Sequence, residues 1–404
     1  MRIMYLTNGF PYPLTSGYLR HYFLIRELSQ HHAVTLLSIT RASFTDEHTA
    51  ALTPFTEHVL TFPLEPKSAS FNGNAIRRIH SLIGGDDAVW RMRATVERLL
   101  REQHFDLMLF SGKRTFPAIE RLHSLPVVAD LCDATSLRIR GSMRYAGLPK
   151  LPQLLVEYQQ VRRVERILAR TAAHLLFASC RDREALRGLA DAHATVVPNG
   201  VDLEFWRRSS RERGAGTIVF TGAMDYPPNT DAALFLIKEI MPLVRRSVPD
   251  ARVLIVGRDP PPRLLNAGQQ PGASVTGFVE DVRPYLEQAT VFVAPLRFGA
   301  GIQNKVLEAM AMEVPVIASP VAADGVRAEG GEAAPVQVAH DQQQFADLII
   351  GQLAEWASTA APHTDARRYV ERHFVWRRSG ELLEQVITNL APGRAPLASH
   401  GVYR

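Results

Sequence analysis

Lys305 and Glu308 are the two residues of this chain whose types and spacing point most directly to chemistry. They stand three apart in the stretch Gly299-Ala300-Gly301-Ile302-Gln303-Asn304-Lys305-Val306-Leu307-Glu308. A glycine loop that feeds a helix presents unpaired backbone N–H groups and a positive dipole end, a combination suited to phosphate. Lys305 adds a full positive charge in the first helical turn, and Glu308 shares its face. An acid one turn behind a phosphate site is placed to accept hydrogen bonds from ribose hydroxyls. A solvated surface pair has the same spacing. The rest of the stretch from Val306 to Met312, however, is Val, Leu, Ala and Met, and a buried helix that keeps one Lys and one Glu near its start has a use for them. The loop is not a dinucleotide fingerprint, because Asn304 stands at the third glycine position, and it is not a P-loop, because no Gly-Lys-Ser/Thr follows.

Two further acids, Asp130 and Asp133, fall at the end of an apolar run at 127–130. Either can orient or deprotonate a hydroxyl; Asp133, followed by Ala-Thr-Ser, also reads as a helix cap. His21 reads as a helix-face residue. No Asp-x-Asp occurs in the chain, the spacing that holds Mg²⁺ or Mn²⁺ under a departing diphosphate; Asp86-Asp87 and Asp130 with Asp133 come nearest. The two cysteines, Cys132 and Cys180, belong to no metal-ligand cluster and read as reduced thiols of a cytoplasmic protein. No metal is expected, so charge developing on a leaving phosphate falls to the helix N-terminus and Lys305.

These groups need elements to hold them. The chain has 404 residues, 46% hydrophobic and 22% charged, enough for two cores. No apolar run reaches the length of a membrane span, and the start lacks the features of a signal peptide. Strands are predicted at 2–7, 34–39, 59–62, 107–110, 127–130, 175–178 and 195–197, with helices between several of them, including 18–29. A second series follows: strands at 218–221, 253–256, 275–277, 290–294 and 314–317, and helices at 230–246, 282–288, 303–312, 345–357 and 376–390. Alternation of this kind implies two α/β domains with doubly wound parallel sheets. The domains read as 1–206 and 217–374, joined by a polar linker at 207–216. A last helix at 375–390 is expected to pack back on the first domain, ahead of a mobile tail at 391–404. In open parallel sheets ligands bind beyond the carboxyl ends of the strands, so both domains should face a shared cleft. The helical pattern at 151–170 carries Arg162, Arg163, Arg166 and Arg170, with Arg138, Arg140 and Arg144 upstream. That is a solvated face or a basic wall for an anionic acceptor or a membrane surface. The formal charge of +5 is modest and does not call for nucleic acid.

Taken together, VPNGVD at 197–202, VFTGAMDYPPN at 219–229, LIVGRDP at 254–260, VTGFVEDVRPYL at 275–286 and GAGIQNKVLEAMA at 299–311 resemble the GT-B glycosyltransferases, in particular the retaining class called family 4. DLCDATS at 130–136 is similar to a subgroup that builds bacterial exopolysaccharide and related glycans. The resemblance implies two Rossmann-like domains, acceptor side first and nucleotide sugar second. It implies a hexosyl or related transferase that needs no cofactor beyond its co-substrate, a UDP-sugar in the first place and a GDP- or dTDP-sugar otherwise. The acceptor is a hydroxyl on a glycan, a lipid-linked glycan or a small molecule, and the protein works in the cytoplasm, with the inner membrane face as a peripheral partner. Glu308 takes the ribose position; the family's second acid, eight residues earlier, falls on Ala300. The family's Arg and Lys phosphate clamp is replaced by Ala223-Met224-Asp225, which leaves the diphosphate to Lys305, Arg258 and the helix N-terminus. Phe278 and Val279 lie near the base. Gly299, Ala300, Gly301, Gln303 and Asn304 complete the donor side, and Ser16 and Gly17 resemble the N-terminal glycine loop, unless Gly17 only turns the chain. The family also implies front-face attack with the leaving phosphate taking the proton, and no covalent glycosyl-enzyme. A sugar-nucleotide epimerase or a non-catalytic nucleotide-binding protein shares this architecture.

Overall fold

The computed structural model describes residues 1–390 apart from 15–17, 42–43, 65–86, 121, 123, 189–192, 210–215 and 360–363. Ser16, Gly17, Asp86, most of the expected linker and the expected tail therefore lie outside the described residues.

Seven strands form the first sheet: β1 (Arg2–Thr7), β2 (Ala33–Thr40), β3 (His58–Pro63), β4 (Leu107–Ser111), β5 (Val127–Cys132), β6 (His174–Phe177) and β7 (Ala194–Val196). They lie in the order β3-β2-β1-β4-β5-β6-β7, every pair parallel. Six form the second: β8 (Thr217–Thr221), β9 (Arg252–Val256), β10 (Ala273–Val275), β11 (Val291–Ala294), β12 (Val316–Ala318) and β13 (Gln337–Val338), in the order β10-β9-β8-β11-β12-β13, again parallel. Parallel strands need helical crossovers that cover both faces, which is why they read as unbroken apolar runs. In β1, Met4 and Leu6 enter one face's core while Ile3 and Tyr5 enter the other, as the two-residue period of a strand requires. Each sheet reverses direction once, between β1 and β4 and between β8 and β11, and these switch points are where ligands sit in such folds.

The chain passes to the second domain earlier than its polar run suggests. Val201 is part of the second core, and Leu203 and Trp206 pack against it; apolar burial, not the polar segment beginning at Arg207, sets the boundary. The Trp376–Leu390 helix returns to the first domain, where Leu383, Val386 and Ile387 join Leu24, Ile25 and Leu28. At the two passages Val201 N–H donates to the Phe374 carbonyl at 2.7 Å, and Val201 bridges to Val375. The helix expected at 230–246 is interrupted: Pro227–Phe235 is α, Leu236–Ile240 a π turn and Met241–Ser247 α again. Pro242 has no N–H to give to the preceding turn, so regular α pairing cannot run through it. Among the described residues no helix is long and apolar enough to cross a membrane.

Candidate active site

At the second switch point the chain leaves β11, turns through Gly299-Ala300-Gly301 and starts a helix over Asn304–Ala311. Gly301 has φ +77°, a left-handed conformation that side chains resist, and a Cβ there would lie 3.3 Å from the Asp133 Cβ of the first domain. Only glycine lets the loop approach so closely.

Lys305 turns back over the end of β8. Its Nζ donates to Asn229 Oδ1 at 2.8 Å and lies 3.4 Å from Gln303 Oε1, with the Phe220 ring centroid 5.6 Å away. Asn229 is fixed in turn by a 2.9 Å bond from its Nδ2 to the Ala223 carbonyl. Burial pulls the Lys305 ammonium down to about 8, against the opposing pull of Glu308. Burial pushes Glu308 up to about 7, against Lys305. The two do not form a salt bridge, and no hydrogen bond reaches the Glu308 carboxylate among the described residues. A half-buried acid without a partner, one turn from a half-buried ammonium, is a site prepared for polar groups of a ligand.

The glycine loop departs from expectation in one respect. The Gly301 N–H is not open to a phosphate: it donates to both Asp182 oxygens, at 2.9 and 3.1 Å. Asp182 belongs to the first domain, is fully buried, and also accepts from the Ala134 N–H at 2.9 Å and from the Ser179 hydroxyl. Burial and the nearby Asp133 charge raise its carboxyl above the ordinary value. Arg181 donates to the Gly299 carbonyl at 3.1 Å, and Asn199 Nδ2 to Asn304 Oδ1 at 2.9 Å. Among the described residues no acceptor meets the N–H groups of Asn304 and Lys305. The backbone N–H groups left open at the helix start are therefore those of its first turn, with Gln303 as neighbour, and not that of Gly301.

The other expected donor-side residues follow β9, β10 and β11. Arg258, after β9, is exposed and paired at 3.1 Å with the exposed Asp259. Phe278 is 64% exposed, an unusual state for an aromatic side chain, while Val279 packs on the second core. Ala300 is buried.

On the first-domain side the two acids part ways. Asp130 is buried and gripped by Arg20, through Nε at 2.8 Å and Nη2 at 3.2 Å; Arg20 Nη1 also donates to the Val197 carbonyl at 2.7 Å and to Asn199 Oδ1 at 2.9 Å. Burial works to raise the Asp130 carboxyl, but the charge and bonds of Arg20, helped by His21 and the Cys132 N–H, hold it below the ordinary value. Both its oxygens accept bonds and the residue is buried, and this geometry speaks against a base at that position. Asp133 does face the cleft: its side chain is 30% exposed, and Oδ1 accepts from the Thr135 hydroxyl at 2.6 Å. Lys113 steadies it, donating to the Asp133 carbonyl and to Thr135 Oγ1 at 2.8 Å each. Asp133 does not cap the helix that follows, whose N-cap is Ala134. His21 is buried between the Tyr5 hydroxyl at 3.0 Å and the Ser111 hydroxyl at 3.2 Å, and burial lowers it to about 4. It is neutral at physiological pH.

Sequence reasoning missed Asp182, Asn229 and Tyr226. Ser179-x-x-Asp182 has capping spacing, and the Ser179 side chain does accept from the Asp182 N–H; the carboxylate's second task lies in another domain. Tyr226 sits half-buried under the Arg138 guanidinium, 5.9 Å from its ring centroid. Among the described residues no group of three or more potential metal ligands occurs.

Residues 215–355 match a family model described as glycosyl transferases group 1. No curated protein sequence matches the chain. Among solved structures, Anabaena HepE in complex with UDP-glucose aligns over 96% of this chain and 99% of its own, at 13% identity and a TM-score of 0.67. A sucrose-phosphate synthase from Thermosynechococcus elongatus aligns over 96% and 98%, at 16% identity and a TM-score of 0.68. WaaG, a glycosyltransferase involved in lipopolysaccharide biosynthesis, aligns over 97% and 100%, at 14% identity and a TM-score of 0.61. At such identities the likeness carries the fold, and the family model adds the second domain. Residues 215–355 are thus similar to group 1 glycosyl transferases, and the chain as a whole shares its two-domain α/β fold with these structures.

Proposed function

We propose that the protein transfers a sugar from a nucleoside-diphosphate donor to a hydroxyl acceptor, with retention of configuration and without a divalent metal. The observation that carries the reading is the Lys305–Glu308 pair: an ammonium and, among the described residues, an unpartnered carboxylate, one turn apart on a helix whose glycine loop meets Asp133 of the first domain at Gly301. Glu308 accepts from ribose hydroxyls. Lys305, aimed by Asn229, holds the diphosphate together with the N–H groups of Asn304 and Lys305, and its charge stabilises the leaving group as the bond to the sugar breaks. Arg258 is exposed beside the site, and its pairing with Asp259 is of the weak surface kind, so it is available to the distal phosphate. The base lies against the Phe278 ring and the Val279 backbone. Asp133 orients the acceptor hydroxyl, and the leaving diphosphate takes its proton, on the same face of the sugar. The likeness to HepE, whose structure contains UDP-glucose, supports a UDP-hexose as the donor of this chain, and the work is family-4 chemistry in polysaccharide or glycoconjugate assembly at the cytoplasmic side.

The test is a titration with UDP-glucose, UDP, GDP and dTDP sugars, followed by UDP release with and without a glycan acceptor, in excess EDTA. A UDP-sugar should bind and raise the melting temperature in proportion to the logarithm of its concentration, and turnover should need the acceptor and survive EDTA. Acceptor-free conversion of the donor into a different sugar nucleotide would overturn the transfer reading, and loss of turnover in EDTA with recovery in Mn²⁺ would overturn its metal-free clause.

A further inference from the structure

We propose that Asp182 is a positioning residue: its carboxylate sets the segment that carries Asp133, in the first domain, against the glycine loop that leads to Lys305, in the second. Its two oxygens receive four hydrogen bonds from three donors. Oδ1 accepts from the Ala134 N–H at 2.9 Å and from the Gly301 N–H at 3.1 Å. Oδ2 accepts from the same Gly301 N–H at 2.9 Å and from the Ser179 hydroxyl. Ala134 is the next residue after Asp133, and a Cβ on Gly301 would lie 3.3 Å from the Asp133 Cβ. One buried carboxylate therefore touches the backbone beside the acceptor-side acid and the backbone of the donor-side loop. A carboxylate offers about four lone-pair sites, so this one is saturated. Ala134 and Ser179 belong to its own domain and fix it in place; Gly301 is the partner that leaves when the cleft opens.

The neighbours of Asp182 make the same crossing. Arg181 donates to the Gly299 carbonyl at 3.1 Å, Arg183 pairs with Glu329 at 2.6 Å, and Glu184 pairs with Arg327 at 2.7 Å. Four successive residues of the short Cys180–Ala185 helix thus each hold the second domain. Asn199 adds a fifth contact, to Asn304 at the start of the Lys305 helix, at 2.9 Å. The two ion pairs are partly open to water, and such pairs are worth little each. The Asp182 bond is different in kind, because a buried polar group that loses a partner is left with an uncompensated desolvation cost. It also speaks for positioning and against ligand binding at Gly301. A phosphate on that N–H would have to displace a carboxylate that two other donors hold, and would meet its negative charge. The loop therefore takes its orientation from the first domain, and Lys305 and Asp133 are in register only while the domains meet here. That consequence for turnover rests on the sugar-transfer reading; the hold on the loop does not.

The test compares Asp182→Ala and Asp182→Asn in the full chain, by amide hydrogen exchange and by UDP release from UDP-glucose with a glycan acceptor. In Asp182→Ala the amides of residues 299–304 should exchange about ten-fold faster, while the strands of both sheets keep their protection. Its kcat should fall by up to about a hundred-fold, the cost of misplacing reacting groups by about 1 Å. The KM for UDP-glucose should stay within about two-fold, because the loss falls on the reacting geometry and not on donor binding. Asp182→Asn should stay near wild type in both readouts. Its Oδ1 still receives the Ala134 and Gly301 N–H groups, and its amide faces the Ser179 hydroxyl, which can turn to accept. If Asp182→Ala does not fold, Ser179→Ala takes its place: it keeps the carboxylate, removes the hydroxyl that aims it, and should show the same split on a smaller scale. Unchanged exchange at 299–304 in the folded variant, a raised KM with kcat intact, or Asp182→Asn no better than Asp182→Ala would each overturn the proposal. If no sugar donor gives turnover in the wild type, the transfer reading fails, and the exchange measurement alone decides whether Asp182 holds the loop.

Discussion

Arg20 with Asp130, and Lys305 with Glu308, are two encounters of opposite charge near the carboxyl ends of parallel sheets, one in each domain. In the first, every oxygen and nitrogen that matters has a partner, and the side chains are 4% and 0% exposed. In the second, the ammonium is held by two side-chain amides, the carboxylate by nothing among the described residues, and the charges do not meet. The consequences run in opposite directions. Asp130 is driven below the ordinary carboxylate value and Glu308 well above it. Burial penalises both; only the compensation differs. A saturated pair is mechanically useful and chemically idle. An unsaturated pair, with each member pushed toward its neutral form, gains most when a ligand supplies the missing contacts.

Breaking the saturated pair should produce the largest change. Arg20→Met leaves Asp130 buried without a counter-charge, which should cost about 3–5 kcal/mol of stability, read in urea unfolding. Because the folded Asp130 carboxyl lies below its unfolded value, that stability is present above the unfolded pKa and is lost as pH falls through the folded one, so the variant and wild type should converge in acid. Equal stability at neutral pH would remove the scaffold role. Lys305→Ala comes next. Losing one preorganised donor to a developing anion costs on the order of 10²–10³ in kcat, with urea stability close to wild type and no rescue by added Mg²⁺; a variant with near-normal turnover would reverse the assignment of the two pairs.

Glu308→Ala should weaken donor binding about ten- to a hundred-fold, the worth of a charge-assisted hydrogen bond, seen by calorimetric titration. Smaller again, and more diagnostic, is the pH profile. As pH falls through about 7, Glu308 takes up a proton and loses the charge that strengthens its bonds; as pH rises through about 8, Lys305 gives one up. Donor affinity should peak between those limits. Glu308→Gln should flatten the acid limb and leave the basic one, whereas the Arg20 pair has no titration in that window. An acid limb that survives in Glu308→Gln would belong to some other group.

The sequence makes some of this legible and hides the rest for identifiable reasons. β1 and the Trp376–Leu390 helix coincide with expectation because their patterns are purely local: an unbroken apolar run, and an apolar stripe recurring every three to four residues. Lys305 and Glu308 are legible because helical spacing alone puts them on one face. The passage at Val201 is not, because the polar run beginning at Arg207 has the composition of a linker while the burial of Val201, Leu203 and Trp206 is a tertiary fact. Asp182 is hidden most completely. Its local spacing says cap, and its contact with Gly301 spans 119 positions of sequence. Asp130 and Asp133 look interchangeable in the chain, and only Arg20, 110 positions from Asp130, tells them apart.

The double passage between the domains has a mechanical consequence. The strands at Val201 and Val375 are stitched to each other, the Ser379 hydroxyl donates to the Pro198 carbonyl at 2.7 Å, and a Cβ on Gly200 would come within 2.2 Å of the Trp376 nitrogen. The Phe23 and Trp376 rings stack beside them, 4.5 Å apart and 10° from parallel. One flexible tether would let the halves twist, slide and swing. Two tethers fastened side by side resist sliding and twisting more than one would, and leave rotation about the line they share as the softest way for the halves to move.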